Sequence, residues 1–349
     1  MRVLRAGFLP VSIALLLTAA FVVPLPLFRE RPGRLLSLGA CVTVAEAGAL
    51  DGDYLLMTIT VLRTTVADAV PAIFDPDTRI RSQREVIPPG VERGEFFRQQ
   101  RDVFVTTADV AAAVGLEAAG LDATFTGEGV RVLRVMPGSP AEGVLAPGDV
   151  ITAVGDRPVT VEQDLRTAVA RAGSDETVRL GFERDGEQLD ADLVPVEMQG
   201  TPVIGVVPQT VNARVDLPVP VEVASGTVGG PSAGLTIALT VYDKIREDVD
   251  LAAGRVIAGT GAIDPTGRVG PVGGVGLKVV AAERVRADVF LTPAANHAEA
   301  LAALPPGSPM QIVPVETFDD ARAALEDPAD GEPRGGGPDR DECPFGEAA

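Results

Sequence analysis

Of the thirty basic residues in this 349-residue sequence, only Lys244 and Lys278 are lysines; the rest are arginines. A guanidinium keeps its charge at any accessible pH, whereas an amine withdrawn from water can lose its proton and serve as a base. Lys278 follows the glycine-rich turn Gly270-Pro271-Val272-Gly273-Gly274. Upstream, Gly229-Gly230-Pro231-Ser232-Ala233-Gly234 places a serine at a tight turn. A serine with a lysine as its base is enough for amide hydrolysis. The plainer reading of Ser232 is a helix N-cap, a position that favours serine. Lys244 suits a helix C-terminus, where a cation meets the negative end of the dipole. His297, the sole histidine, follows Asn296 at a helix start and reads as a surface residue. Two cysteines and one histidine fall short of a structural zinc site and of paired-histidine metalloprotease motifs.

The elements that must hold Ser232 and Lys278 alternate. Val203–Val207 and Val219–Val223 read as strands, and Ser232–Lys244 as a helix. Arg255–Gly261 is a strand running into a glycine turn, and Val275–Val285 a helix bearing Lys278. Asp288–Leu291, a helix from Ala295 and the pair Gln311–Val315 and Phe318–Leu325 complete an α/β layer pattern.

In order and approximate spacing, Gly-Pro-Ser-Ala-Gly (230–234), Gly-Thr-Gly-Ala-Ile (259–263), Thr-Gly-Arg-Val-Gly-Pro-Val-Gly-Gly (266–274) and Lys-Val-Val-Ala-Ala (278–282) resemble the proteolytic domain of Lon-type endopeptidases. The resemblance implies Ser232 as nucleophile, Lys278 as general base, Thr260 as a hydroxyl that holds the lysine, and Gly230 and Pro231 as the supporting turn. It also implies a hexameric ring. ATP is not expected, since neither lysine lies in a Gly-Lys-Ser/Thr phosphate loop. A protease without a motor is limited to flexible or already unfolded protein or peptide segments.

Before this unit, Val130–Val135 alternates as a half-buried strand. It is followed by Gly138-Ser139-Pro140-Ala141, Pro147-Gly148-Asp149-Val150-Ile151 and an amphipathic helix over Val161–Ala172. Strands at Val178–Phe182 and Leu189–Val194 close the unit, which resembles a PDZ domain of the bacterial protease type. Such a domain takes an extended peptide as an added strand beside a helix. The resemblance implies peptide contacts from Gly127, Gly129, Val130, Val132 and Leu165, the loop 126–129 offering N–H groups to a carboxylate. Glu128 within that loop works against an anion.

Residues 6–28 carry no charge between Arg5 and Arg29, a length that can cross a bilayer as an uncleaved anchor; a removed signal segment is the competing reading. Anchor, PDZ unit and Lon-type unit in that order resemble small membrane-anchored proteases of Gram-positive bacteria. The expected architecture is α+β and multidomain. It comprises a cytoplasmic stub and transmembrane helix (1–34), a juxtamembrane region with a strand at Tyr54–Leu62 and no assignable chemistry (35–119), the PDZ domain (120–198), the Lon-type domain (199–326) and a disordered acidic tail (327–349). The PDZ and protease units are expected outside the cytoplasm at the cell membrane. A net charge of −19 argues against nucleic acid. Cys41 and Cys343 lie at opposite ends, so no structural disulfide is expected. No cofactor is expected. The alternative function is a non-catalytic peptide-binding adaptor.

Overall fold

The computed structural model describes residues 18–88, 90–174, 176–198, 200–224, 226–246, 248–326 and 343–345. The chain first forms β1 (Pro24–Ser37), β2 (Asp53–Thr65), a helix over Val66–Phe74, β3 (Arg79–Ser82) and the long helix α1 (Arg93–Ala118). Next come β4 (Val130–Val135), β5 (Val150–Val154), α2 (Glu162–Ala172), β6 (Val178–Arg184), β7 (Glu187–Leu193) and β8 (Val206–Thr210). Last are α3 (Gly234–Ile245), β9 (Val256–Gly259), α4 (Val275–Arg284), β10 (Val289–Pro293), α5 (His297–Ala303), β11 (Gln311–Val315) and α6 (Phe318–Glu326). These elements form two units, 121–218 and the remainder of the chain.

The larger unit is built on a six-stranded sheet ordered β11-β10-β9-β2-β1-β3. Strands β2, β9, β10 and β11 run parallel, and β1 is antiparallel to both its neighbours. Every residue of β9 and β10 is buried, which explains their unbroken apolar character. Leu55, Val256, Val279, Phe290 and Ala300 share one core under the helices. On α3, Gly115 of α1 comes so close that a Cβ there would lie 2.5 Å from the Ala238 carbonyl oxygen. Only glycine permits that approach.

Three expectations change here. Residues 24–34 are strand, not membrane helix. Pro24 and Pro26 lack the N–H groups a helix needs, and Leu27–Glu30 pairs with Arg79–Ser82. Among the described residues no helix is long and apolar enough to cross a membrane. Residues 1–17, most of the expected anchor, lie outside the described residues. The region 35–119 is not a separate juxtamembrane piece, because β2 pairs with β9 at the centre of the sheet and α1 packs on α3. Finally, Cys41 and Cys343 form a disulfide across a separation of 302 residues. The rest of the expected disordered tail, 327–342 and 346–349, lies outside the described residues.

The smaller unit is an antiparallel sheet ordered β7-β6-β5-β4-β8 around Val132, Ile151, Leu165, Leu180 and Phe182. Asp149 ties its corners: Arg184 grips both carboxylate oxygens at 2.7 Å, and the Ala146 N–H donates to it. That guanidinium holds the Asp149 carboxyl below the usual carboxylate range. The unit runs on to Pro218, past the expected end at 198, because β8 completes its sheet.

Candidate active site

Ser232 follows Gly229-Gly230-Pro231 and precedes α3. Gly230 sits at φ +89°, which a side chain would strain, and its N–H donates to the Gln100 carbonyl of α1 at 2.8 Å. Helix α3 begins at Gly234 with Ala233 in the cap position, and no side chain caps it. Ser232 is therefore not a helix cap. Its carbonyl is fixed from the opposite side, accepting from the Gly261 N–H at 2.9 Å and from the Thr260 hydroxyl at 3.0 Å. With the backbone pinned, the Ser232 hydroxyl points elsewhere.

It meets Lys278. The Nζ of Lys278 lies 2.7 Å from Ser232 Oγ and 2.8 Å from Thr260 Oγ1, to which it donates. Lys278 is carried by the first turn of α4, which opens at Gly274 in the left-handed region, φ +69°. A Cβ on Gly274 would collide with Ile59 of β2, so this glycine both starts the helix and lets it approach the sheet. The lysine is 2% exposed, and burial pushes its amine down to about 8. Two hydroxyls solvate it where water cannot. Since the Thr260 hydroxyl hydrogen is committed to the Ser232 carbonyl, Thr260 can only accept from the amine. A neutral amine then has its lone pair free for the Ser232 hydroxyl.

Ser232 and Lys278 line one cleft of about 810 Å³, which the turn Pro271–Gly273 also borders. Phe96, Phe97 and Phe104 of α1 line it as well, which gives the region without assigned chemistry a wall of the site. Asn296 was not singled out from sequence either. Its side chain both accepts from and donates to the backbone of Val272, at 2.9 and 3.1 Å, and so fixes the turn ahead of Lys278. An Asn at a helix start after a strand was the only local sign. His297, its neighbour, does not line the cleft.

Lys244 is structural, with a more specific task than the helix dipole provides. Its Nζ donates to the carbonyls of Gly39 and Val42 at 2.8 and 2.6 Å, clamping the turn that holds Cys41.

The residues expected to bind peptide in the smaller unit are core residues. Val130 and Val132 are fully buried, Leu165 nearly so. β4 has no open edge, being paired with β5 on one side and β8 on the other. Thr210 pairs with Val130, and Thr210 and Glu162 of α2 exchange side-chain to backbone bonds. The unit's own β8 thus occupies the slot beside β4. The loop is engaged too: the N–H groups of Glu128 and Gly129 donate to the carbonyls of Val211 and Thr160, and a Cβ on Gly127 would press on Thr160. An open carboxylate cradle is absent from 126–129.

Residues 100–194 match the model of the PDZ domain, and residues 207–326 that of the Lon protease (S16) C-terminal proteolytic domain. A Lon protease of Campylobacter concisus is 35% identical over 31% of this chain and 13% of its own length. The serine protease Do-like HtrA of Lactococcus lactis is 42% identical over 21% of this chain and 18% of its own. A crystal structure of the PDZ domain of an SdrC-like protein from Listeria monocytogenes is 28% identical, covering 23% of this chain and 87% of that one, with a TM-score of 0.22. The chain thus spans less than a fifth of the length of either curated relative. It combines a PDZ domain with a Lon-type proteolytic domain.

Proposed function

We propose that the chain is an ATP-independent serine endopeptidase that cleaves flexible or unfolded protein segments, with Ser232 as nucleophile and Lys278 as its base. One observation carries the reading: a desolvated amine 2.7 Å from a serine hydroxyl inside a cleft. Neutral Lys278 takes the Ser232 proton as Oγ bonds to the amide carbon. The carbonyl oxygen becomes an oxyanion beside the N–H groups of Ser232 and Ala233, which make no backbone hydrogen bond among the described residues. The ammonium returns that proton to the leaving amine, the C–N bond breaks and an acyl-enzyme remains. Water then attacks the ester, losing its proton to Lys278, which hands it back to Ser232 Oγ.

The test compares Ser232→Ala and Lys278→Arg with the parent chain on a fluorogenic, unstructured peptide. Each variant is expected to lose about 10³-fold or more in kcat/KM. A serine-directed phosphonate should label Ser232 in the parent. Cleavage by either variant at the parent rate would overturn the mechanism.

The reading also places both domains outside the cytoplasm. The Cys41–Cys343 bond supports this, because disulfides persist in oxidising compartments. Attachment to the membrane rests on the uncharged residues 6–23 ahead of β1.

A further inference from the structure

A second aromatic wall of the cleft comes from the far end of the chain. Phe345 lines the cleft that holds Ser232 and Lys278. It stands two residues beyond Cys343, whose partner Cys41 is 3% exposed and rigidly placed. The Cys41 carbonyl accepts from the Ala224 N–H at 2.9 Å, and Lys244 clamps the carbonyls on either side of it. The Phe345 ring rests on Gly226, where any Cβ would collide with ring atoms Cδ1 and Cε1. Gly226 begins the segment that leads to Ser232. A fixed anchor, a covalent link and a glycine seat thus deliver one aromatic ring to the nucleophile's own loop. The ring is half-buried, and about 810 Å³ of the cleft stays open with the ring in place. It borders the cleft without filling it, which argues for a wall that substrate touches over a plug.

We propose that Phe345, held by the Cys41–Cys343 disulfide, is a specificity-determining residue of the peptidase, favouring substrates with an apolar side chain near the scissile bond, and that reduction of the disulfide removes this preference. The proposal rests on the reading of Ser232 as nucleophile. Reduction by a dithiol supplies two electrons and two protons: its thiolate attacks one sulfur, the mixed disulfide resolves, and the products are Cys41 and Cys343 thiols and a cyclic disulfide. Formation is the reverse, with an oxidised dithiol protein or oxidised glutathione accepting the electrons. Once reduced, no covalent link holds Phe345 on Gly226. The lost aromatic contact is then expected to lower selectivity about fivefold.

The experiment uses the full chain, air-oxidised or reduced with dithiothreitol, alongside Phe345→Ala and Cys343→Ser. Two unstructured peptides differ only in leucine or asparagine beside the cleaved bond, and the readout is the ratio of their kcat/KM values. The ratio is expected to fall about fivefold in both variants and in the reduced parent, with no further change on reducing Cys343→Ser. A non-reducing digest should contain the Cys41–Cys343 peptide pair. An unchanged ratio in both variants, or no such pair in oxidised protein, overturns the proposal.

A second arm needs no catalysis. On a Ser232→Ala background, binding of the leucine peptide by fluorescence anisotropy should weaken about fivefold when Phe345→Ala is added. If the parent chain cleaves nothing and no probe labels Ser232, the peptidase reading fails, and the anisotropy arm alone decides whether Phe345 contacts an apolar peptide. Equal affinities there overturn the proposal.

Discussion

The Thr260 hydroxyl donates to the carbonyl oxygen of Ser232 at 3.0 Å, so the residue that solvates the lysine also fixes the serine backbone. One side chain therefore sets the aim of both partners. Thr260→Val removes the acceptor for Nζ and the donor to the carbonyl while keeping a branched shape. A loss of about 10–100-fold in kcat/KM is expected, with the pH profile moved, since the amine loses one of its two acceptors. Thr260→Ser should restore most of the rate. Full activity in Thr260→Val would show that the hydroxyl does not position the lysine.

Burial sets the pH profile. With the Lys278 amine at about 8, roughly a tenth of the molecules hold a neutral base at pH 7 and about half at pH 8. Hydrolysis is expected to rise close to tenfold per pH unit below about 8 and to level off above it. Steady-state kcat/KM on one peptide between pH 6 and 9.5 measures this. A flat profile across that range would rule out proton transfer to this lysine.

The same desolvation destabilises the fold. Between about 8 and the unfolded value of 10.5 the unfolded lysine is protonated and the folded one is not, so the unfolded state binds more protons and stability rises with pH across that window. Below pH 8 the penalty is present in full. Lys278→Met, which keeps an unbranched chain and removes the charge, is expected to unfold at higher denaturant concentration at pH 7, by about 1–3 kcal/mol, and to lose that advantage near pH 10. Urea titrations at the two pH values decide it, and a variant less stable than the parent at pH 7 contradicts the assigned cost.

What could be read from the chain beforehand was local. β4 occupies the span its alternation predicts, β11 the span expected for the strand of the closing β–α pair, and α4 starts at the glycine turn that announced it. Glycine at 230 and 274 marked turns because positive φ leaves a trace in residue type. Pairings between distant segments leave no such trace. Nothing in Asp53–Thr65 specifies β9 as its neighbour, and so the region that frames the cleft read as a bystander. Phe96, Phe97 and Phe104 fall in that same region without assigned chemistry, and they line the cleft with Ser232 only because α1 packs on α3. The disulfide was missed for the same reason, since two single cysteines at opposite ends carry no spacing signal. The uncharged run 6–28 misled at its end, where Pro24 and Pro26 already disfavoured a continuing helix.

The filled slot of the PDZ unit has a measurable consequence. A peptide that adds to β4 must first displace β8, which pairs with β4 from Val206 to Thr210 and is tied to α2 through Glu162. Free energy spent on displacement is lost from binding, and a competent fraction of about 1% weakens apparent affinity about 100-fold. The parent chain is therefore expected to bind peptides with apolar C-termini no tighter than about 100 μM, where an open slot would bind near 1 μM. Glu162→Ala together with Thr210→Ala removes both ties, loosens β8 and is expected to strengthen binding several-fold. Calorimetric titration of parent and double variant, each still folded by circular dichroism, makes the comparison. Micromolar affinity in the parent would mean that peptide docks on a different edge, and among the described residues the sheet ends in β7 on one side and in the outer side of β8 on the other.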